Sequence, residues 1–247
     1  MPPDLVPSDP SPQPFATTRW SLILDAGAGD SPTAMAALEE LCRGYWVPIY
    51  AYVCRSGVAP DAAKDLTQQF FATLLEKQWL VRADRDRGRF RSFLLTYLKR
   101  FLSDERDRTA AKKRGGGKEI LSLDELGSEE AAGFEPSAAR TPECEYDRQW
   151  ALSTLQNALT RLRAEAAASG AVELFEAVQG HLSHDDTSES LGAVARRFGL
   201  GESAVKMRLK RWRDRYQDLI RFEVAQTVPR IADVNEELRH LMAALMD

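Results

Sequence analysis

At 247 residues, with 44% hydrophobic content and a formal net charge of −4, the chain has material for one or two globular domains. Its small negative balance excludes a uniformly basic nucleic-acid binder, and Cys42, Cys54 and Cys144 form neither a C-x-x-C pair nor, with His181, His184 and His240, a zinc-ligand spacing. No signal core and no bilayer-length apolar run is present, so a cytoplasmic protein with no metal and no cofactor is expected.

Residues 1–16 are Pro-rich, cannot bury a core, and are expected to be disordered. Order is expected from Thr17, with Trp20, Leu22, Ile23 and Leu24 as an anchoring turn. A helix is predicted from Pro32 through Cys42, and the aromatic run from Tyr45 leads into a second that ends near Arg55. A third starts at Pro60, where proline suits the first turn and Asp61 and Asp65 lie near the positive end. Ala63, Leu66, Phe70 and Leu74 form its core stripe, while Asp65, Gln68 and Gln69 lie off it, toward solvent or a partner.

Residues 81–90 form a basic loop with no apolar periodicity, carrying Arg82, Arg85, Arg87 and Arg89. A long helix then starts at Phe90, with Phe93, Leu94, Tyr97, Leu98, Phe101 and Leu102 at helical spacing. Leu98 reads as core, and Phe101 equally as core or as part of a base-stacking platform. Phe90, Phe93 and Tyr97, interleaved with Arg91, Lys99 and Arg100, read either as core or as a platform on which unstacked bases could lie. Charge is segregated along this part of the chain. Residues 82–118 hold 13 basic and 5 acidic side chains, and residues 119–147 hold nine acidic ones and a single Arg. Three glycines and this acidic stretch predict a flexible linker over 115–146.

A helix is predicted over Asp147–Ala168, with Ala151, Leu155, Ala158, Leu159 and Leu162 inward, and a shorter one over Val172–Leu182. Asp186 and Glu189 have capping-box spacing. Leu191, Val194, Ala195 and Phe198 then make a short apolar stripe. Gly199 ends that helix, Gly201 or Ser203 starts the next, and Val205, Leu209, Trp212 and Tyr216 continue at helical spacing. Between Ser190 and Tyr216 stand eight Lys or Arg against Glu202 and Asp214. This is the pattern of a helix-turn-helix whose second helix enters the major groove. Ser203, Lys206, Met207, Arg208, Lys210, Arg211 and Arg213 are the candidate DNA contacts, with Lys206 and Lys210 at base edges and Arg208, Arg211 and Arg213 on phosphates. The competing reading is a solvated charged helix in an ordinary bundle. Pro229 breaks the long helix, and Val234, Leu238, Leu241 and Leu245 form a further amphipathic helix that docks on this chain or on a partner.

The order of these parts resembles the extracytoplasmic-function (ECF) group of the sigma-seventy family of bacterial RNA polymerase sigma factors. DLTQQFF (Asp65 to Phe71) is similar to the family's D-L-x-Q-E-x-F, GRFRSFLLTYLKRFLSDERDR to its F-x-x-W-L-x-x-x-x-x-N-x-x-x-D-x-x-R helix, and the helix-turn-helix to its region four. Gln69, Phe93 and Arg100 depart from the usual Glu, Trp and Asn. The resemblance implies an all-α chain of two helical domains on a flexible acidic linker. Region two would span 17–114, the linker 115–146, region four 147–221 and a C-terminal extension 222–247.

It further implies that Asp65, Gln68 and Gln69 dock on the β′ clamp of core RNA polymerase, and that region four meets the β flap. Arg85, Arg87, Arg89, Phe90, Arg91, Phe93, Tyr97, Lys99 and Arg100 would open and read the minus-ten element. The Ser203–Arg213 set would read the minus-thirty-five element. A monomer when free is expected, with promoter DNA and core polymerase as partners and room for an anti-sigma protein.

Two other readings stay open: a helix-turn-helix regulator with a helical sensory or interaction domain, and a helical adaptor without DNA. An enzyme is not expected, since no nucleophile–base pair, phosphate-binding glycine loop or metal set is present.

Overall fold

Apolar residues three and four apart recur through the chain, and in the computed structural model, which describes residues 19–20, 32–76, 88–115, 140–182 and 189–246, this period becomes helix over most of the backbone. The fold is all-α. Among the described residues nine α-helices follow one another: α1 (Pro32–Arg43), α2 (Trp46–Arg55), α3 (Pro60–Glu76), α4 (Phe90–Gly115), α5 (Pro142–Ala168), α6 (Val172–Val178), α7 (Leu191–Arg197), α8 (Glu202–Ala225) and α9 (Val234–Met246). Residues 1–18, Leu22 to Leu24, most of the 115–146 linker, Arg85, Arg87 and Asp186 lie outside the described residues.

Several boundaries differ from the expectations. α5 begins at Pro142, five residues before Asp147, because Thr141 caps it: its side chain accepts from the Cys144 amide at 3.2 Å, with Pro142 at the first position and Glu143 and Glu145 in the first turn. The segment expected over Val172–Leu182 tightens to a 3-10 turn after Val178. α7 is capped by Ser190, whose hydroxyl accepts from the Ala193 amide. On α3 the buried side is Ala63, Thr67, Phe70 and Leu74; Leu66 is only half-buried, and the Thr67 hydroxyl is satisfied by the Ala63 carbonyl at 2.7 Å. Leu155 and Leu159 of α5 are likewise half-buried, while Ala151, Ala158 and Leu162 are buried.

α5 is the spine. Its N-terminal half packs on α2 and α9, and its C-terminal half on α6 and α8. One continuous core joins Trp20, α2, α3, α4, the start of α5, the end of α8 and α9. Trp20, Tyr45, Phe90 and Tyr146 are central to it, and Val224, Val234, Leu241 and Ala244 close it from the C-terminal side. The amphipathic helix after Pro229 thus docks on its own chain. Two smaller clusters build the helix-turn-helix region: Leu174, Val178, Val194, Ala195, Val205 and Leu209 in one, and Ala158, Leu162, Phe175 and Leu219 in the other. Trp212 joins them, edge-on to Phe175 at 5.3 Å.

Candidate nucleic-acid interface

The α7–turn–α8 unit follows from its sequence. Gly199 adopts φ +64°, a left-handed conformation that ends α7 without steric cost, and the Leu200 amide donates back to the Ala195 carbonyl at 2.9 Å. Gly201 is the N-cap of α8, so Ser203 is free of capping duty and exposed. Small residues allow close approach of the two helices: a Cβ on Gly192 would stand 3.2 Å from Glu202 Oε2. Val205 and Leu209 face inward. Lys206, Met207, Arg208, Lys210, Arg211 and Arg213 all face solvent.

These cations are not equivalent. Lys206 pairs with Glu202 one turn earlier at 2.6 Å, and this contact holds the Glu202 carboxyl below its usual range. Arg213 donates to the His181 carbonyl at 2.8 Å, which ties α8 to the 3-10 turn. Arg211 lies over Met207 Sδ at 3.7 Å. Arg215, beyond the candidate set, grips Glu165 of α5 through two bonds of 2.9 and 2.7 Å. The face is therefore a solvated stripe of positive charge carried on a buried apolar seam, the form that enters a major groove and holds phosphates on its flanks.

On α3, Asp65 and Gln69 are exposed and Gln68 half-exposed, on the side away from the core. The α4 set is arranged differently. Phe90, Phe93 and Tyr97 are buried. Trp20 packs on Phe90 and Phe93 at 5.0 and 5.2 Å, Tyr45 stands edge-on to Phe90 at 5.1 Å, and Phe93 meets Tyr97 at 4.6 Å. As placed, none of the three offers an open face. Arg100 is exposed, its guanidinium 5.8 Å from the Tyr97 ring centre.

Three further cations, Arg89 just before α4 and Arg91 and Lys99 on it, are held by carboxylates from the C-terminal half. Arg89 meets Glu236 Oε1 at 2.6 Å and Glu237 Oε2 at 2.8 Å, the latter an ion pair without hydrogen-bond alignment. Arg91 donates to Glu237 Oε1 at 2.8 Å and to Asp147 Oδ1 at 2.9 Å, and lies 5.4 Å from the Trp150 ring centre. Burial pulls its pKa down, but Glu237 and Asp147 outweigh that and hold it above the usual guanidinium value. Lys99 pairs with Glu143 at 2.7 Å. Backbone joins the same surfaces: the Phe90 amide donates to the Thr227 carbonyl at 2.9 Å, the Trp20 amide to the Gln226 carbonyl at 3.0 Å, and the Tyr146 hydroxyl to the Arg91 carbonyl at 3.0 Å. Glu237 lacks any motif and is separated from Arg91 by 146 positions, so only the apolar spacing of α9 could have drawn attention to it.

An all-α chain with a capped helix-turn-helix and a one-sided cationic second helix is a DNA-binding protein of the transcriptional class. Residues 61–221 match the family model described as ECF sigma factor. The chain belongs to the ECF sigma factor family, and is an RNA polymerase sigma factor of ECF type, an initiation factor that works with core polymerase and promoter DNA. Comparison with curated proteins and with solved structures gave no match. The family match ends at residue 221, before α9.

Proposed function

We propose that this sigma factor divides its work as the motif order implies. Residues 17–114 act as region two. Asp65, Gln68 and Gln69 dock on the β′ clamp, and Arg85, Arg87, Arg89, Phe90, Arg91, Phe93, Tyr97, Lys99 and Arg100 serve the unwound minus-ten strand. Residues 147–221 act as region four. Ser203, Lys206, Met207, Arg208, Lys210, Arg211 and Arg213 hold minus-thirty-five duplex, near the β flap. The stretch of chain between α4 and α5 links them and lets them part. The observation that carries this reading is the solvated cationic face of α8, seated on a helix-turn-helix core within the matched family region.

Extruding a base costs a few kcal/mol. Region-four and polymerase contacts therefore hold the duplex first, and strand capture follows. The protein works in the cytoplasm, where polymerase is, and is a monomer when free. Among the described residues no helix is long and apolar enough to cross a membrane. Run-off transcription with core polymerase on a promoter library tests the proposal. New start sites with a shared pair of upstream elements are expected. A palindromic footprint that needs no polymerase would favour the regulator reading instead.

A further inference from the structure

Three cations, Arg89 just before α4 and Arg91 and Lys99 on it, are met by acids from elsewhere in the chain. Glu143 and Asp147 come from the first turns of α5, and Glu236 and Glu237 from the first turn of α9. Four carboxylates thus stand against Arg89, Arg91 and Lys99, all three of them cations that the proposed function gives to the unwound strand. A carboxylate on a guanidinium occupies the same donors as a phosphate oxygen. A strand cannot use those donors while the acids hold them.

The contact is built, not incidental. Glu237 is fully buried and the Arg91 side chain is 9% exposed. The Gln226 and Thr227 carbonyls take the Trp20 and Phe90 amides. Val234, Leu241 and Ala244 seat α9 in the same core as Phe90 and Tyr146, and Arg148 of α5 donates to the Leu245 carbonyl at 3.1 Å. Residues 226–246, which supply Glu236 and Glu237, lie beyond the residues that match the family. By contrast, Asp65 and Gln69 on α3 stay open to solvent in the same conformation.

We propose that residues 226–246, with the first turns of α5, form an intramolecular clamp that masks Arg89, Arg91 and Lys99, and that docking of core polymerase on the open α3 face comes before the clamp lifts. This rests on the assignment of α4 to strand binding under the proposed function. The free chain then holds duplex through α8 but binds single strands poorly. Polymerase contacts, by drawing the two halves apart, expose Arg89, Arg91 and Lys99 together.

The test uses the full chain and a labelled random-sequence 20-nucleotide single strand. Glu143→Gln with Glu236→Gln removes two exposed partners and leaves the buried Glu237 in place. Glu39→Gln with Glu173→Gln makes the same change in net charge on α1 and α6, away from α4. An exposed ion pair is worth up to about 1 kcal/mol, so each pair released tightens single-strand binding by up to about fivefold. The Glu143/Glu236 variant is expected to gain this, and the Glu39/Glu173 control and duplex binding through α8 to change little. Hydrogen exchange supplies the second measurement: α9 amides are expected to lose protection when core polymerase is added to the unaltered chain. Equal gains in the variant and the control, or α9 protection unchanged by polymerase, would overturn the clamp while leaving promoter-directed transcription intact. Failure of the unaltered chain to direct polymerase to any promoter would instead remove the function on which the clamp depends.

Discussion

Replacing Glu237 by Met asks how strongly one buried charge ties α9 to α4. Glu237 is fully buried, with Arg91 Nε and Arg89 Nε each at 2.8 Å. Removing one member of a buried pair strands the other in a low-dielectric site, at a cost of about 3–5 kcal/mol. Arg91 keeps Asp147 at 2.9 Å, which puts Glu237→Met near the lower end, about 3 kcal/mol. For a chain of this size that lowers the melting temperature by roughly 6–12 °C. Arg91→Met is expected to cost a similar amount, because it leaves Glu237 with Arg89 alone. Asp147 retains His240 at 3.2 Å in that variant. The double variant sets two flexible apolar side chains against each other and Trp150, so its cost falls well short of the sum of the single costs, with a coupling of about 1–3 kcal/mol. Urea unfolding of the four proteins, followed by circular dichroism, measures the cycle. If the two single losses add to within about 0.5 kcal/mol, the pair does not interact in solution and the account of this core is wrong.

Lys206→Ala is expected to weaken binding to one set of minus-thirty-five sequences by about 1–3 kcal/mol, whereas Arg208→Ala weakens all duplexes alike and lowers the slope of log affinity against log salt by about 0.9. Titrations at several salt concentrations separate the two, and a uniform loss from Lys206→Ala would remove its reading role. Gln68→Ala should leave the urea midpoint almost unchanged and reduce affinity for core polymerase; unaltered affinity would displace the docking face from α3. The Glu143–Lys99 pair has a pH signature. Lys99 holds the Glu143 carboxyl below its usual 4.5, so the pair's contribution is complete above that pH and is lost as pH falls through the lowered value. Glu143 in turn holds Lys99 above 10.5, so the contribution is also lost as pH rises past that raised value. Both groups are well exposed, so the effect is under about 1 kcal/mol, and Glu143→Gln should flatten both limbs of stability against pH.

The helix-turn-helix was legible because its determinants are local. Apolar spacing, a left-handed Gly199 and the charged flanks of α8 all sit within a few turns of one another. The start of α5 was hidden by its surroundings, since Thr141-Pro142-Glu143 is a sound helix start that closes an acidic, linker-like stretch. Phe90, Phe93 and Tyr97 were ambiguous for a different reason. Helical spacing marks a face as apolar but does not say what meets it, and Trp20 and Tyr45 lie far away in sequence. The same limit applies to α9. Its stripe predicted a docked helix, but Glu237 on that stripe reads as a surface acid until Arg89 and Arg91 are seen beside it. Asp65, Gln68 and Gln69 were legible as off-core residues from the α3 stripe alone; that stripe does not say what meets them.

The shared core also sets an order for synthesis. Trp20, Tyr45 and Phe90 leave the ribosome long before Val234 and Leu241, the residues that cover them from the C-terminal side. At about 5–20 residues per second, more than a hundred residues separate Phe90 from α9, a delay of roughly 7–30 s. During that interval the nascent chain carries an uncovered aromatic surface beside Arg89 and Arg91, which still lack Glu236 and Glu237. A ribosome that stalls before residue 226 would release a chain with that surface permanently bare, a species suited to chaperone capture or aggregation.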